Sequence, residues 1–142
     1  MATTPFTILT SAARTAGDVG TSMLLPKNLK GLVAMLNVTA AATEIGDLLD
    51  VWLQESPDQG TTWNDIIRFT QVLGNGGAKK YIAKLNCEVA AETEMAAPSD
   101  AAISAGVVHG PICPFIRAKW TVTDAGTDNA SFTFAITGLA IR

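Results

Sequence analysis

The segment Ile116-Arg-Ala-Lys-Trp-Thr-Val122 decides the fold class. Every second residue from Ile116 to Val122 is apolar, and each residue between them is charged or polar. Alternation with a period of two is typical of a β-strand with one buried face. An amphipathic helix would instead repeat its apolar residues every three or four positions. The segment therefore predicts a strand that packs one face against a core.

The same alternation recurs on both sides of this strand. Between residues 30 and 40, for example, apolar residues occupy every second position from Leu32 to Val38. Short strands separated by frequent turns are typical of two packed antiparallel sheets. The chain is therefore predicted to be all-β, a two-sheet antiparallel sandwich resembling a jelly roll, with seven or eight strands and one long loop. The predicted strands are 6–12, 20–25, 30–40, 47–55, 63–70, 79–85, 116–122 and a last strand from 131.

Two details of the pattern concern the phase of single strands. Trp63, Asp65, Ile67 and Phe69 are predicted to share one face, because they occupy alternate positions. In the last strand, the apolar residues after Gly138 lie out of phase with those before it. A β-bulge at Gly138 is predicted to account for that change.

Length and composition predict a single domain over residues 1–142. Hydrophobic residues make up 48% of the chain and charged residues only 16%, which argues against intrinsic disorder. A chain of this size buries enough surface to fold without a metal or disulfides. Cys87 and Cys113 have no CxxC spacing and are expected to remain free, buried thiols.

Charge and hydropathy exclude two classes of partner. The formal net charge is −3 and no run of Lys or Arg is present, whereas binding to a phosphate backbone requires clustered positive charge. No window approaches the roughly 18 apolar residues of a membrane span, and the first ten residues lack the features of a signal peptide. We therefore expect no nucleic-acid partner, no membrane association, and synthesis in the cytoplasm.

The segment Ser56-Pro-Asp-Gln-Gly-Thr-Thr-Trp63 resembles the Asp box of sialidases and related β-propellers. In physical terms it is a turn between two strands, in which an Asp accepts hydrogen bonds from turn amides and a Gly supplies a positive φ. One copy in a short chain does not make a propeller. The motif is therefore interpreted as a structural hairpin turn formed by Ser56, Asp58, Gly60, Thr62 and Trp63.

The sequence contains no recognisable catalytic constellation, and the chain is not expected to be an enzyme. His109 is the single histidine, and no nucleophile motif surrounds it. A hydrolase would need Asp65 and a second carboxylate to converge in one pocket. A calcium ion held by Asp124 and Asp128 is an alternative without EF-hand spacing to support it. No catalytic residue, cofactor or metal is therefore predicted.

Two side chains are candidate partner contacts, Trp52 and His109. Trp52 lies on the polar face of its strand, beside Asp50 and Gln54. A large aromatic residue in that position is either covered by a loop or offered to a partner.

Segments 49–63, 110–122 and 131–136 together resemble small virion proteins of tailed bacteriophages. The resemblance implies a cement or decoration protein with a jelly-roll-like fold, assembled in the host cytoplasm and bound to the major capsid protein on the outside of the head. The expected contact elements are an N-terminal arm at 1–20 and the long loop at 89–110. A homo-oligomer, as dimer or trimer, is also expected.

One alternative function is a carbohydrate-binding or adsorption module on a phage tail or fibre. A solvent-exposed Trp52 would favour it, and a Trp52 buried beneath a loop would count against it.

Overall fold

The computed structural model describes residues 2–89, 103 and 106–142. These residues form eleven strands and no helix, which confirms the all-β prediction. Each predicted strand corresponds to observed strands, with bounds that differ by a few residues. The strands are β1 (Thr3–Arg14), β2 (Asp18–Val19), β3 (Met23–Leu24), β4 (Gly31–Ala40), β5 (Leu48–Ser56), β6 (Asn64–Arg68), β7 (Val72–Leu73), β8 (Lys79–Asn86), β9 (Gly106–Val107), β10 (Phe115–Thr123) and β11 (Phe132–Ile141).

The strands form two antiparallel sheets packed against each other. The four-stranded sheet has the order β1-β11-β4-β8. The second sheet has the order β2-β10-β5-β6-β9, with β3 also paired to β10 and β7 to β5. If β2 and β3 are counted as one interrupted strand and the two-residue strands β7 and β9 are set aside, eight strands remain. Their order in the two sheets is then 1-8-3-6 and 2-7-4-5, which is the order of a jelly roll.

The core lies between the two sheets, where the predicted inward faces meet. Leu32 and Leu36 of β4 are fully buried, as are Phe132 and Phe134 of β11, which confirms the predicted phase of both strands. Trp120 of β10 packs edge-on against Phe134, with ring centroids 5.9 Å apart. Edge-to-face contact is a favoured geometry for aromatic pairs.

The predicted common face for Trp63, Asp65, Ile67 and Phe69 is wrong, because β6 contains a bulge. Ile67 lies opposite Leu53 and faces the core, but Asp65 lies opposite Gln54 on the other side of the sheet. The register shifts between these two pairs, so β6 gains one residue relative to β5. Ile66, which strict alternation would place on the face opposite to Ile67, is consequently buried as well.

The predicted bulge at Gly138 is also wrong. The register between β11 and β4 is regular from Phe134 to Ile141. Gly138 continues the inward face, and it is small because the ring of Phe6 packs there: a Cβ atom at position 138 would lie 2.6 Å from Phe6 Cζ. The outward Leu139 follows from simple alternation. The apolar pattern changes at position 138 because a small glycine occupies the inward face and apolar residues follow on the outward face. The backbone register itself stays regular.

Most of the predicted N-terminal arm is a strand of the sandwich. β1 pairs with β11 along its whole length and forms one edge of the four-stranded sheet. Its contact with a partner stays a prediction. Residues 90–102, 104 and 105 of the predicted long loop lie outside the described residues.

Candidate binding surface

The outer face of the four-stranded sheet carries apolar side chains that this chain leaves partly open to solvent. Ile82 of β8 is 62% exposed. Val33 and Met35 of β4, with Leu139 and Ile141 of β11, are half-buried. These five residues are called the apolar face below.

The cross-strand register makes the apolar face continuous. Met35 lies opposite Ile82 on one side and Thr137 on the other. Val33 lies opposite Leu139 in the next row. Side chains opposite each other in neighbouring strands are about 5 Å apart, so these residues contact one another. A contiguous apolar patch with a polar rim is typical of an interaction site.

A depression lies at one corner of this face. Gly31 has no side chain to fill its position beside Val33 and Ile141, and a cavity of about 380 Å³ opens there. His109 lines its rim, exposed to solvent, and its Nδ1 accepts a hydrogen bond from the Asn86 amide at 3.1 Å. The proposed partner contact at His109 therefore lies next to the apolar face, and it stays a prediction.

The Ser56–Trp63 segment is a closed hydrogen-bonded turn. Ser56 Oγ accepts from the Gly60 amide at 2.7 Å and donates to Asp58 Oδ1 at 2.9 Å. Asp58 Oδ1 also accepts from the Thr62 amide at 2.7 Å, and hydrogen bonds from Thr62 lower the pKa of this carboxyl. Gly60 has a φ of 96°, and Trp63 Nε1 donates to its carbonyl at 3.0 Å. All five residues thus serve the turn itself.

Trp52 is covered rather than presented to solvent. Its side chain is 5% exposed, and its Nε1 donates to the carbonyl oxygen of Ile103 at 3.5 Å. The guanidinium of Arg68 lies 5.1 Å from the centre of its ring and donates to the same carbonyl. Of the two environments that the sequence allowed for Trp52, the structure shows the covered one, so in this conformation it does not offer a surface to a partner.

A buried polar network lies beside Trp52 on the same face of the second sheet. Gln54 is fully buried, accepts from Arg117 Nε at 2.9 Å, and donates to Asp65 Oδ1 at 2.9 Å. Asp65 Oδ2 accepts from the amide of Ile103 at 3.1 Å. The Arg117 guanidinium also stacks 4.3 Å from the ring centre of Trp63. These bonds assign Asp65 a structural role in holding Ile103 against the sheet.

The hydrolase alternative required Asp65 to converge with a second carboxylate. The neighbouring buried acid on this face is Asp50, which pairs with Arg68 at 2.6 Å. Asp65 lies opposite Gln54, four residues along β5 from Asp50. Four residues of strand span about 13 Å, more than the separation of the paired carboxyls of glycosidases. The two carboxylates are therefore held apart, each with its own partner.

Acidic side chains also tie the turn at 124–128 to the segment before β5. Glu44 Oε1 and Oε2 accept from the amides of Thr127 and Asp128 at 3.0 and 3.1 Å. Asp47 Oδ1 accepts from the Ala125 amide at 2.9 Å. Carboxylate oxygens of Glu44, Asp47 and Asp124 come within 4.8 Å of one another. The backbone bonds explain why acids stand at positions 44 and 47.

Both cysteines are free, as predicted, and both line a cleft of about 540 Å³. Cys87 is buried, as predicted, but the predicted burial of Cys113 is wrong, because that residue is half-buried. Desolvation is the largest cause that raises the pKa of the Cys113 thiol to about 11, and the negative charges of Glu55 and Asp58, with a hydrogen bond to Glu55, contribute in the same direction. The thiolate is the reactive form of cysteine, so the site suppresses thiol chemistry.

We expect Cys113 to react slowly with a disulfide reagent such as DTNB. With a pKa of about 11 in place of 9.0, the thiolate fraction at pH 8 falls about 100-fold. The measurement is the rate of modification of a Cys87→Ser variant at pH 8, with the same protein unfolded in urea as the reference. Equal rates in the folded and unfolded states would contradict the expectation.

Comparisons with protein-family models, with curated proteins and with solved structures found no match. Within the described ranges, no helix is long and apolar enough to cross a membrane.

The sequence predictions placed the partner contacts in the terminal arm, the long loop and Trp52, and did not identify the apolar face. A signal for it is present in β4, where Val33 and Met35 interrupt the strict alternation with apolar residues on the second face. Leu139 and Ile141 carry the same signal in β11, where the change of phase after Gly138 reflects a second apolar face and not the predicted bulge.

Proposed function

We propose that this chain is a structural virion protein that binds the outside of an assembled phage capsid and stabilises it. The observation that carries the proposal is the apolar face, a continuous surface of Val33, Met35, Ile82, Leu139 and Ile141 on a sheet with no second layer over it among the described residues. The resemblance of segments 49–63 and 110–122 to virion proteins supports a capsid as the partner.

The stabilising mechanism is mass action. A protein that binds the assembled shell but not its separated subunits shifts the equilibrium towards the shell. At a free concentration 100-fold above Kd, each bound copy contributes about 2.7 kcal/mol. A symmetric shell repeats the same site many times, so modest affinity at each site gives large total stabilisation. This function needs a rigid, complementary surface and no catalytic group.

The proposed partner is the major capsid protein, and contacts between copies of this chain, as dimers or trimers, would add to occupancy on the lattice. The rival module for carbohydrate adsorption depended on an exposed Trp52. The burial of that side chain under Ile103 counts against it.

Co-sedimentation with purified particles tests the proposal. The chain is mixed with mature heads that lack it and, separately, with unassembled capsid subunits. We expect saturable binding to the heads, at a fixed number of copies per capsid subunit, and little binding to free subunits. Failure to bind heads, or equal binding to free subunits, would overturn the proposal.

A further inference from the structure

The pairing of β8 with β4 determines where the backbone groups of β8 point. Gly31 lies directly opposite Asn86, and the Cys87 amide donates to the Lys30 carbonyl at 3.0 Å. In an antiparallel ladder this bond identifies 31/86 as a pair that does not exchange hydrogen bonds, so the backbone groups of Asn86 point away from β4. By alternation, the same holds for residues 84, 82 and 80.

Of the four outward positions 80, 82, 84 and 86, only Asn86 has partners for its backbone groups within the described residues. The Asn86 amide donates to His109 Nδ1, and the Asn86 carbonyl accepts from the Gly110 amide at 2.9 Å. At Lys80, Ile82 and Lys84, no described residue supplies a partner for the outward N–H and C=O groups. Such a row is a template for one more strand.

The side chains of the same three residues define what such a strand should carry. Lys80, Ile82 and Lys84 are exposed on the apolar-face side of the sheet, in the order cation, apolar, cation. Strand β8 contains no acid. A second copy paired antiparallel about Ile82 would place lysine opposite lysine at both ends, which is destabilising. Charge complementarity instead favours carboxylates opposite both lysines.

The side chains on the opposite face of an added strand could also be accommodated. A groove of about 310 Å³ lies beside β8, between the edges of the two sheets. It is lined by Tyr81 and Ala83 of β8, with Phe69 and Val107 across from them. Inward side chains of an added strand would fill this groove, so small apolar residues are suited to those positions.

We propose that the edge of β8, which no described residue pairs at Lys80, Ile82 and Lys84, binds an extended acidic segment of a partner protein as an added antiparallel strand. Its carboxylates lie opposite Lys84 and Lys80, and an apolar residue lies opposite Ile82. Main-chain bonds supply affinity and the alternate side chains supply specificity in this mode of recognition. The identification of the partner as a capsid protein rests on the proposed function above, whereas binding of the acidic segment does not.

The test uses the peptide acetyl-Thr-Glu-Val-Ile-Val-Glu-Thr-amide with the full chain, and amide hydrogen exchange measured by NMR. At saturation we expect exchange at Lys80, Ile82 and Lys84 to slow at least tenfold. Tyr81 and Ala83, whose amides already point towards β4, should change little. This alternation distinguishes strand addition from contact with the lysine side chains alone.

A tethered peptide ensures that weak affinity cannot mask the result. Ile141 pairs with Gly31, and Gly31 with Asn86, so the C-terminus lies about 10 Å from the end of β8. The same peptide is joined to Arg142 by a linker of ten Gly/Ser residues, which has a reach of roughly 17 Å. The linker presents the peptide at the C-terminal end of β8, so that it runs antiparallel to β8. Its effective concentration is then in the millimolar range.

Two controls complete the design. A peptide with Lys in place of both Glu residues should give no protection. Ile82→Pro removes an outward N–H without removing a bond to β4, as proline is tolerated at a sheet edge, and should abolish protection by the acidic peptide. Three outcomes would overturn the proposal. The first is protection by the lysine peptide, and the second is no protection in the tethered protein. The third is self-association of the chain that depends on Lys80 and Lys84, because a second copy would then occupy the edge of β8. Failure to bind heads despite protection would overturn the capsid function alone.

Discussion

Asp65→Ala is expected to lower the free energy of unfolding by about 3 kcal/mol. The substitution removes the hydrogen bonds that the Asp65 carboxylate accepts from the Gln54 amide and from the Ile103 N–H, and a hydrogen bond to a charged group contributes about 1.5–3 kcal/mol. For a chain of this length the loss corresponds to a fall in Tm of roughly 10 °C. Urea unfolding followed by tryptophan fluorescence measures it.

A matched control is available in Asp128→Ala, because Asp128 is exposed and its carboxylate makes no bond to another described residue. Exposed substitutions of this kind usually change stability by less than about 0.5 kcal/mol. Equal stability losses for the two variants would contradict the structural role given to Asp65. A loss confined to Asp65 would confirm that the outer face of the second sheet is a covered network rather than a solvated surface.

Met35→Asp is expected to weaken binding to heads at least 100-fold. Met35 lies between Ile82 and Thr137 in the apolar face, and burial of an unpaired carboxylate in an interface costs several kcal/mol. A loss of about 2.8 kcal/mol corresponds to 100-fold in Kd. The measurement is a binding isotherm from co-sedimentation at fixed salt, together with a thermal melt that shows whether the variant folds.

Thr61→Asp is the control, with the same change of charge at an exposed position of the Ser56–Trp63 turn. It should bind heads with unchanged affinity. If Met35→Asp melts like the parent chain and still binds normally, the apolar face is not the docking surface. Equal weakening by both variants would point to overall charge in place of a specific contact.

Much of the fold could be predicted because alternation is a local property. The inward face of β10 and the buried residues Leu32 to Val38 of β4 lie where their period of two placed them. The jelly-roll order also fits a chain of short strands joined by turns. Bulges are different: the extra residue in β6 depends on pairing with β5, so Asp65 and Ile66 were assigned to the wrong faces.

The sites were harder to predict because they depend on long-range contacts. Gln54 and Asp65 are polar, and a polar alternate position in a strand is normally solvated; here Ile103, far along the chain, covers them. The apolar face was missed for the opposite reason, because its residues are hydrophobic but remain partly exposed. Val33 and Met35 are hydrophobic in sequence, but only the sheet order shows that no described element packs over them.

The copy number of this chain in virions decides whether it binds an assembled capsid as a structural component. Under the proposed function, quantitative mass spectrometry of purified particles of the phage that would carry this chain gives its ratio to the major capsid protein. We expect a ratio near one, or a simple fraction such as about one-third, because such a chain would occupy repeated lattice sites. A handful of copies per particle, or complete absence from particles, would contradict it.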